Sequence, residues 1–199
     1  ERAMIIGCTE VVFINEVKGK GVVATARIPK GTVTWVFDDL DREISMAGLT
    51  RLSEPCRESV INYSYRNHEG NLIFCWDNER FINHSFRNNC CLTPYNFEIA
   101  IRDIEPGEEL TDDYGFLNII APFDVDSEGT DRFRVYPDDL LRYSELWDRQ
   151  LREAFDRLLH VEQPLRPVFK PEVWRLVESI ALGETTMASI KNCYYNQHS

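Results

Sequence analysis

The stretch RFINHSFRNNCC, at residues 80–91, contains the side chains with the most evident capacity for chemistry. Asn83 and His84 stand next to each other, and two adjacent cysteines follow shortly afterwards. Histidine and cysteine bind metals, and histidine is also an acid–base catalyst near neutral pH. A third possibility is that the backbone of this stretch forms a cradle for a small molecule. The residue types by themselves leave these three kinds of site open.

The cysteines indicate free thiols, and they do not predict a zinc finger or a disulfide framework. None of them forms the C-x-x-C pair of zinc fingers and thioredoxin-like redox sites. Adjacent cysteines on an extended chain point in different directions, so Cys90 and Cys91 are poorly placed to share one metal. We therefore expect a reducing, intracellular location, cytoplasmic or, in a eukaryote, nuclear. The six cysteines are Cys8, Cys56, Cys75, Cys90, Cys91 and Cys193.

The chain of 199 residues carries a formal net charge of −11. This charge disfavours nucleic-acid binding through phosphate neutralisation. An acidic surface suits a basic partner such as a lysine-rich segment, although it also serves ordinary solubility. No apolar run approaches the length of a membrane span, so we expect no membrane association. No signal peptide is visible, although the chain opens on Glu1.

The elements that must position these residues are short strands in the first part of the chain. Residues 10–37 contain β-branched runs broken by GKG and PKG, which predicts strands separated by turns. Residues 49–65 have apolar residues at helical spacing and predict a helix. Residues 72–76 and 97–104 predict two further strands, the second with one buried face.

The composition of the later part of the chain predicts helices. Residues 136–160 carry an apolar stripe at helical spacing, which packs either on the body of the protein or on a partner. A second helix is predicted over 170–182 and a short third one over 184–194. We therefore expect an α+β chain, mainly β at first, divided into residues 1–122 and a helical extension at 123–199.

Three segments occur in the order that is typical of one family. GKG at 19–21 and the following IPKGT precede RFINHS at 80–85, and GEELTDDYG at 107–115 closes the pattern. Together they resemble the SET domain of protein lysine methyltransferases over roughly residues 8–118, in particular the short SET proteins of bacteria. GKG alone is weak evidence and also suits a plain hairpin turn. NHS followed about 22 residues later by GEELTxDY is specific.

The resemblance implies a fold of small, mostly antiparallel sheets with a pseudo-knot, in which the NHS segment passes under the loop made by GEELTxDY. It also implies S-adenosylmethionine as the methyl donor and a protein lysine as the acceptor, bound from opposite faces. Methyl transfer to an amine is an in-line displacement, which depends on alignment and electrostatic arrangement and requires no metal.

The resemblance also assigns roles to residues of this chain. Tyr114 matches the catalytic tyrosine, and His84 then belongs to a ligand cradle and is neither a general base nor a metal ligand. Tyr63 or Tyr65, both expected on the helix before NHS, should supply a second hydroxyl to the donor or the channel. An aromatic ring, Phe116 or alternatively Phe123, would stack on the adenine. The donor-binding residues expected are Gly19, Lys20, Gly21, Arg80, Phe81, Asn83, His84 and Phe116.

The sequence departs from the family at its usual post-SET zinc site. The cysteine that follows NHS in the family is replaced by Phe86, and Asp124, Asp126 and Asp131 stand where the downstream cysteines would be. Structural zinc prefers thiolate and imidazole ligands, so we expect no zinc and no other metal ligand here. Three aspartates could suit calcium, but a solvated acidic loop is the preferred interpretation. The C-terminal helices are expected to pack in place of the zinc module.

Asp112 is a second departure, because the histone enzymes of the family usually have Phe or Tyr two residues before the catalytic tyrosine. A carboxylate in the channel would stabilise the charged ammonium and oppose methylation. We therefore expect Asp112 to point away from the channel. The loop NHSFRNNC is a third departure, because the family has NHSC-x-P-N at this position. The difference could reshape the crossing of the NHS segment under the GEELTxDY loop.

The leading hypothesis is an active protein lysine methyltransferase whose acceptor lies in a basic segment or on a folded protein. The rival hypothesis is an inactive SET-fold binding module for a basic protein segment. Asp112 and the lost zinc cysteines favour the rival. Tyr114 favours the enzyme, because a site without activity has no need of that hydroxyl. The oligomeric state and the number of methyl groups transferred stay open.

Overall fold

The computed structural model describes residues 5–196, which form five small sheets followed by two longer helices. The strands are β1 (Thr9–Asn15), β2 (Gly19–Ala24), β3 (Val33–Val36), β4 (Arg42–Ile44), β5 (Ser64–Arg66), β6 (Leu72–Phe74), β7 (Asn83–His84), β8 (Cys90–Leu92), β9 (Phe97–Ala100), β10 (Thr111–Asp112), β11 (Phe123–Asp124) and β12 (Arg134–Val135). The α-helices are α1 (Met46–Leu49), α2 (Glu54–Asn62), α3 (Asp139–Leu158) and α4 (Pro171–Ala181), with 3₁₀ turns at Asn78–Phe81, Tyr114–Phe116, Arg166–Val168 and Ile190–Cys193. This confirms the α+β class, the small antiparallel sheets and the helical C-terminal part.

The hairpin of β1 and β2 positions the GKG loop. The side chain of Asn15 accepts two backbone hydrogen bonds of 2.9 Å from the turn that follows it. Gly19 then adopts a φ of +69°, a conformation that glycine reaches without a Cβ clash. On its other side β2 contacts the GEEL segment, where the Leu110 N–H donates to the Val22 carbonyl at 2.8 Å. The hairpin is therefore held against the segment that leads to Tyr114.

The sheet ordered β3-β9-β8 forms the centre of the core. Trp35 and Phe97 are fully buried in it, as are Cys90 and Cys91. The apolar stripe of α3 covers this sheet, and the ring of Phe155 lies 6.0 Å from that of Phe97. Of the two packing alternatives for the stripe, the structure shows the one on the body of the protein.

A tight contact joins the turn before β3 to α3. Gly31 has a φ of +91°. A Cβ at this position would lie 2.8 Å from the backbone carbon of Arg157 and 2.9 Å from the carbonyl oxygen of Ala154. Glycine is therefore required twice here, by the backbone conformation and by the approach of the helix.

The segment between β4 and β6 differs from the helix expected over residues 49–65. It forms the short α1, then α2 up to Asn62, and then β5, which pairs with β6. Tyr65 is opposite Ile73 in this pairing, and its ring lies 6.2 Å from that of Trp35. Sheet pairing and this ring contact outweigh the helical spacing of the sequence. The expectation that a helix carries Tyr65 is therefore wrong.

Two further boundaries differ from expectation. The strand expected to continue to residue 104 ends at Ala100, and Ile104 forms an isolated bridge with Ile28. The short third helix expected over 184–194 is only the 3₁₀ turn Ile190–Cys193. Gly183, with a φ of +73°, ends the preceding helix. The helices expected in 136–160 and 170–182 are confirmed as α3 and α4.

Residues from both expected parts of the chain share one hydrophobic core, in which Trp147, Leu151 and Leu158 join the strands. The boundary at residue 122 stays a prediction. Within residues 5–196, no helix combines the length and the apolar composition that a bilayer crossing needs.

Candidate functional site

The RFINHS and GEELTDDYG segments lie side by side as β7 and β10. The two strands pair in parallel, Asn83 with Thr111 and His84 with Asp112. The Ser85 N–H continues the pairing by donating to the Asp112 carbonyl at 2.9 Å. The two motifs, separated by more than 20 residues in the sequence, therefore build one local structure.

Tyr114 follows β10 directly and is fixed at both of its ends. Its backbone N–H donates to Nδ1 of His84 at 3.1 Å, and its hydroxyl donates to the carbonyl oxygen of Ile82 at 2.7 Å. Burial, reinforced by nearby carboxylates, raises the pKa of the phenol, so the hydroxyl keeps its proton. Because that proton is directed at Ile82, the oxygen lone pairs are available to another group.

His84 holds the backbone of Tyr114 in place. Its Nδ1 accepts a hydrogen bond, so the ring proton is on Nε2, which is buried without a hydrogen-bond partner among residues 5–196. Burial lowers its pKa to about 3, with help from Arg132 and Lys18. The ring centroid lies 4.6 Å from that of Phe86. The ring is thus neutral at pH 7 and packed.

An open pocket of about 710 Å³ lies on one side of Tyr114. This volume is ordinary for a small-molecule site. Five of the eight residues expected to bind the donor line it, together with Tyr63 and Tyr114. Gly21, His84 and Phe116 are not among its lining residues. The pocket is lined by Phe13, Lys18, Gly19, Lys20, Ser59, Asn62, Tyr63, Phe74, Arg80, Phe81, Ile82, Asn83 and Tyr114.

The surface of this pocket combines aromatic rings and cations. Phe13 is 64% exposed, and Tyr63 meets Phe81 edge to face with ring centroids 5.6 Å apart. The ammonium of Lys20 and the guanidinium of Arg80 lie 5.3 and 5.0 Å from the centroid of the Phe81 ring. Aromatic faces suit a flat base, and cations suit a carboxylate. The pocket therefore fits a ligand that carries both groups.

The Asn83 side chain ties the GKG loop to the crossing of β7 and β10. Its Nδ2 donates to the Lys20 carbonyl at 2.9 Å and to Oε1 of Glu109 at 2.8 Å. Glu109 in turn pairs with Lys18 at 2.7 Å. Gly21 faces this cluster, and a Cβ there would lie 2.6 Å from Ile14 and 2.7 Å from Glu109 Oε1. Packing against the protein, and not close approach to a ligand, explains this glycine.

A second pocket, of about 250 Å³, also has Tyr114 in its wall and shares Asn62, Tyr63, Arg80 and Ile82 with the open pocket. Its walls are mostly apolar or aromatic, and both Tyr63 and Tyr65 belong to them. Glu79, Glu98 and Asp112 line it as well. The full set is Ile61, Asn62, Tyr63, Ser64, Tyr65, Arg66, Leu72, Cys75, Glu79, Arg80, Ile82, Glu98, Asp112, Tyr114, Leu117, Asn118, Ile119 and Ile120.

The expectation that Asp112 points away from the channel is wrong, because Asp112 and Tyr114 line the same pocket. Asp112 is accommodated by burial beside Glu98 and Glu79, and burial raises the pKa of all three carboxyl groups. Sequence reasoning missed Glu79 and Glu98. Nothing in their spacing marks them, since the contact depends on how β9 and the turn before β7 pack together.

Phe116 is placed away from both pockets. It is 1% exposed, and its ring lies 5.4 Å from that of Trp147 in the core. This placement argues against stacking on an adenine. The alternative, Phe123, has its ring 6.0 Å from His84 and 6.3 Å from Tyr114, which places it behind the tyrosine and outside the lining of the open pocket.

The loop at 124–132 is tied to the NHSFR segment by a carboxylate. Oε2 of Glu128 accepts hydrogen bonds from Ser85 Oγ at 2.8 Å and from the Phe86 N–H at 2.7 Å. The Glu128 N–H is itself held by Asp126 Oδ1 at 2.7 Å. Within residues 5–196, one group of three or more side chains is close enough together to hold a metal ion, and it consists of Glu79, Glu98 and Asp112. Asp124, Asp126 and Asp131 of the loop therefore do not converge on a common metal position.

Comparison with known families agrees with this geometry. Residues 19–115 match the family model of the SET domain. The match covers the stretch whose motifs resemble this family. Members of the family are generally protein lysine methyltransferases that use S-adenosylmethionine. No curated protein matches the chain. The bacterial-type subclass and the absence of zinc stay predictions.

Proposed function

We propose that the protein is a methyltransferase that uses S-adenosylmethionine to methylate the side-chain amine of a protein lysine. The observation that supports this most strongly is the position of Tyr114, which lines both the open pocket and the second pocket. A donor in the open pocket and an amine in the second pocket would meet at this tyrosine.

The open pocket has the chemistry that the donor needs. When bound, S-adenosylmethionine would supply a methyl group carried on a positively charged sulfur. Phe81 and Tyr63 offer aromatic faces to its base, and Lys20 and Arg80 offer cations to its carboxylate. The backbone around Asn83 is held in place through Lys20 and Glu109, so the pocket is largely preformed.

Tyr114 has the orientation that the reaction requires. Its hydroxyl proton is directed at the Ile82 carbonyl, which leaves lone pairs to accept a hydrogen bond from the amine or to face a methyl group with partial positive charge. His84 holds the backbone of Tyr114 and is a positioning residue. Tyr63 lines both pockets and Tyr65 only the second, so Tyr63 is the better candidate for the second hydroxyl at the junction.

The acceptor is proposed to lie in a basic protein segment. The net charge of −11 and the three carboxylates of the second pocket both favour a cationic partner. We also propose an intracellular location, which the free thiols of the six cysteines within residues 5–196 support.

The second candidate function is an inactive SET-fold module that binds a basic segment. The carboxylates of the second pocket favour it, because they stabilise an ammonium in its unreactive, charged form. The module would retain the second pocket but would not require binding of the donor.

Calorimetric titration with S-adenosylhomocysteine separates the two functions. We expect micromolar affinity, about −8 kcal/mol, and binding about tenfold weaker in Asn83→Ala, because the tie to Lys20 is lost. Tyr114→Phe should bind the ligand but lose about a hundredfold or more of methyl transfer from radiolabelled donor to basic peptides or lysate. Tyr136→Phe, outside both pockets, is the matched control. Absence of binding at millimolar ligand would rule out the enzyme and leave the binding module.

A further inference from the structure

Within residues 5–196, the strand β1 pairs with β2 along one edge and with no strand along the other. At the base of the hairpin the Thr25 N–H donates to the Cys8 carbonyl at 2.8 Å. Hydrogen-bonded pairs recur at every second residue of an antiparallel ladder, so the backbone groups of Glu10 and Val12 also point towards β2. The residues of β1 whose N–H and C=O groups point to the open edge are Thr9, Val11 and Phe13.

The hydrogen bonds of β2 show the same alternation. Val22 is opposite Val11, and its carbonyl accepts from the Leu110 N–H on the side away from β1. Ala24 is opposite Thr9, and its N–H donates to the GEEL segment on that same side. No group within residues 5–196 forms a hydrogen bond with the outward N–H and C=O groups of β1. The edge therefore offers a regular row of free donors and acceptors.

The open edge of β1 has few of the features that keep edge strands from pairing. Such strands are usually short, or carry proline, lysine or several charges. β1 has seven residues, more than any other strand within residues 5–196, and contains four consecutive apolar residues, VVFI. Glu10 is its single charged residue, and the side chain of Phe13 is largely exposed. An added strand would find backbone partners and apolar side chains together.

We propose that this edge pairs with the same edge of a second copy of the chain, antiparallel, with Val11 opposite the partner's Val11. Thr9 of each copy is then opposite the partner's Phe13. All three outward residues of both copies are used, and each of these residue pairs exchanges two hydrogen bonds. The pairing is isologous, which is the commonest symmetry of homodimers.

The charges of β1 favour this register over its neighbours. Glu10 is opposite the partner's Val12, so no like charges face each other directly. Sliding one strand by two residues leaves only two pairs among the outward residues. In one direction this shift also places Glu10 opposite the partner's Glu10, and like charges directly opposite are destabilising. The edge is therefore complementary to itself in one register.

The pairing ends at a dimer. The other edge of the hairpin is already occupied, because β2 bonds to the GEEL segment. The two hairpins would form one four-stranded sheet with the order β2-β1-β1-β2. Phe13 also lines the open pocket, so the partner's strand would run beside this pocket. The inference concerns a surface and does not depend on the proposed function.

Sedimentation equilibrium of the full chain, from about 1 to 300 μM, tests the association. Salt of about 0.15 M screens the repulsion between two copies of net charge −11. We expect a species of twice the 23.2 kDa mass of the chain. Hydrogen exchange in this dimer should protect the amides of Thr9, Val11 and Phe13. Dilution to the monomer should release these three amides but not those of Glu10 and Val12.

Charge reversal at Val12 tests the register. Val12→Lys places a cation opposite the partner's Glu10 twice in the dimer, and Val12→Glu places an anion there twice. The dissociation constant of the Val12→Lys dimer should be at least about tenfold lower than that of the Val12→Glu dimer. Val17→Lys and Val17→Glu are the matched control, because Val17 is 95% exposed in the turn after β1 and measures the effect of net charge alone.

Val11→Pro tests the hydrogen bonds of the edge. Proline has no N–H, so this change removes an outward donor and leaves the bonds from β1 to β2 intact. We expect Val11→Pro to stay monomeric, and the melting temperature of every variant reports whether it folds. The proposal is overturned if the wild type is a monomer at about 300 μM. It is also overturned if a folded Val11→Pro dimerises as the wild type does, or if charge reversal at Val12 has no more effect than at Val17.

Discussion

The backbone N–H of Tyr114 donates a hydrogen bond to Nδ1 of His84 at 3.1 Å. This bond joins the two motifs that resemble the SET family, because His84 belongs to RFINHS and Tyr114 ends GEELTDDY. It requires an imidazole that is neutral at Nδ1, and burial together with nearby cations lowers the pKa of His84 to about 3. The two motifs are therefore directly connected, because this bond holds the backbone of Tyr114 against β7.

A first prediction concerns the pH dependence that His84 confers. In the unfolded chain its pKa is near 6.5, so between pH 6.5 and 3 the unfolded state binds a proton that the folded state does not. Stability linked to His84 is thus present above pH 6.5 and is lost as the pH falls, by about 2 kcal/mol between pH 7 and pH 5. His84→Gln should lack this loss.

Urea unfolding at pH 7 and at pH 5 gives the free energy of unfolding of the wild type and of His84→Gln. The effect of His84 is the change, between the two pH values, in the difference between these two free energies. His160→Gln, at an exposed helix end, is the matched control. An unchanged difference between the two pH values would show that the buried ring is not held neutral as described.

A second prediction has the opposite sign and concerns the carboxyl cluster. Burial raises the pKa values of Glu79, Glu98 and Asp112 well above those of the unfolded chain. Their contribution is therefore fully present below about pH 4 and is lost as the pH rises through the folded pKa values. Glu98→Gln, which cannot ionise, should gain about 1–2 kcal/mol of stability relative to wild type between pH 5 and pH 8.

Chemical denaturation at these two pH values checks this prediction, with the exposed Glu153→Gln as control. A gain that is equal at both pH values would mean that Glu98 is already ionised in the folded state at pH 5, so that burial does not raise its pKa. The opposite signs of the His84 and Glu98 effects make the two groups separable in one set of measurements.

A third prediction concerns Glu128, which holds Ser85 Oγ and the Phe86 N–H. Glu128→Ala should lower the free energy of unfolding by about 1–3 kcal/mol, because both donors lose a charged acceptor. Glu128→Gln retains one acceptor oxygen and should lose less. Asp131→Ala, on the exposed part of the same loop, is the control, and equal losses in Glu128→Ala and Asp131→Ala would contradict the role of the carboxylate.

A fourth prediction separates two reasons for glycine. Gly31 and Gly107 have similar φ values, +91° and +86°, but a Cβ would meet the backbone of α3 only at Gly31 and would meet nothing within 4 Å at Gly107. Gly107→Ala should cost about 1 kcal/mol from backbone strain, and Gly31→Ala about 2–4 kcal/mol from strain plus the displacement of the helix. Thermal unfolding of both variants tests this, and equal losses would show that α3 adapts freely.

The motifs predicted well that the two segments lie together, because NHS and GEELTxDY are specific sequences and their contact is made by their own backbone groups. The positions of side chains that depend on contacts between residues far apart in the sequence could not be predicted. Tyr65 has helical spacing in the sequence, yet pairing with Ile73 places it in a strand. Glu98 has the alternation of an ordinary strand residue, and only the three-dimensional fold brings it beside Asp112 and Glu79. Phe116 lies two residues after Tyr114, but the approach of Trp147 directs it into the core.

The packing of α3 limits how the matched stretch, residues 19–115, can be handled in isolation. Asp113, one residue before Tyr114, forms an ion pair with Arg132, which also pairs with Asp139 in the first turn of α3 at 2.9 Å. The same helix covers Phe97 and presses against Gly31. The matched stretch is consequently not a portable module. If it were expressed or transplanted without α3, it would expose the aromatic face of its central sheet, so truncation libraries and chimeras need boundaries that retain this helix.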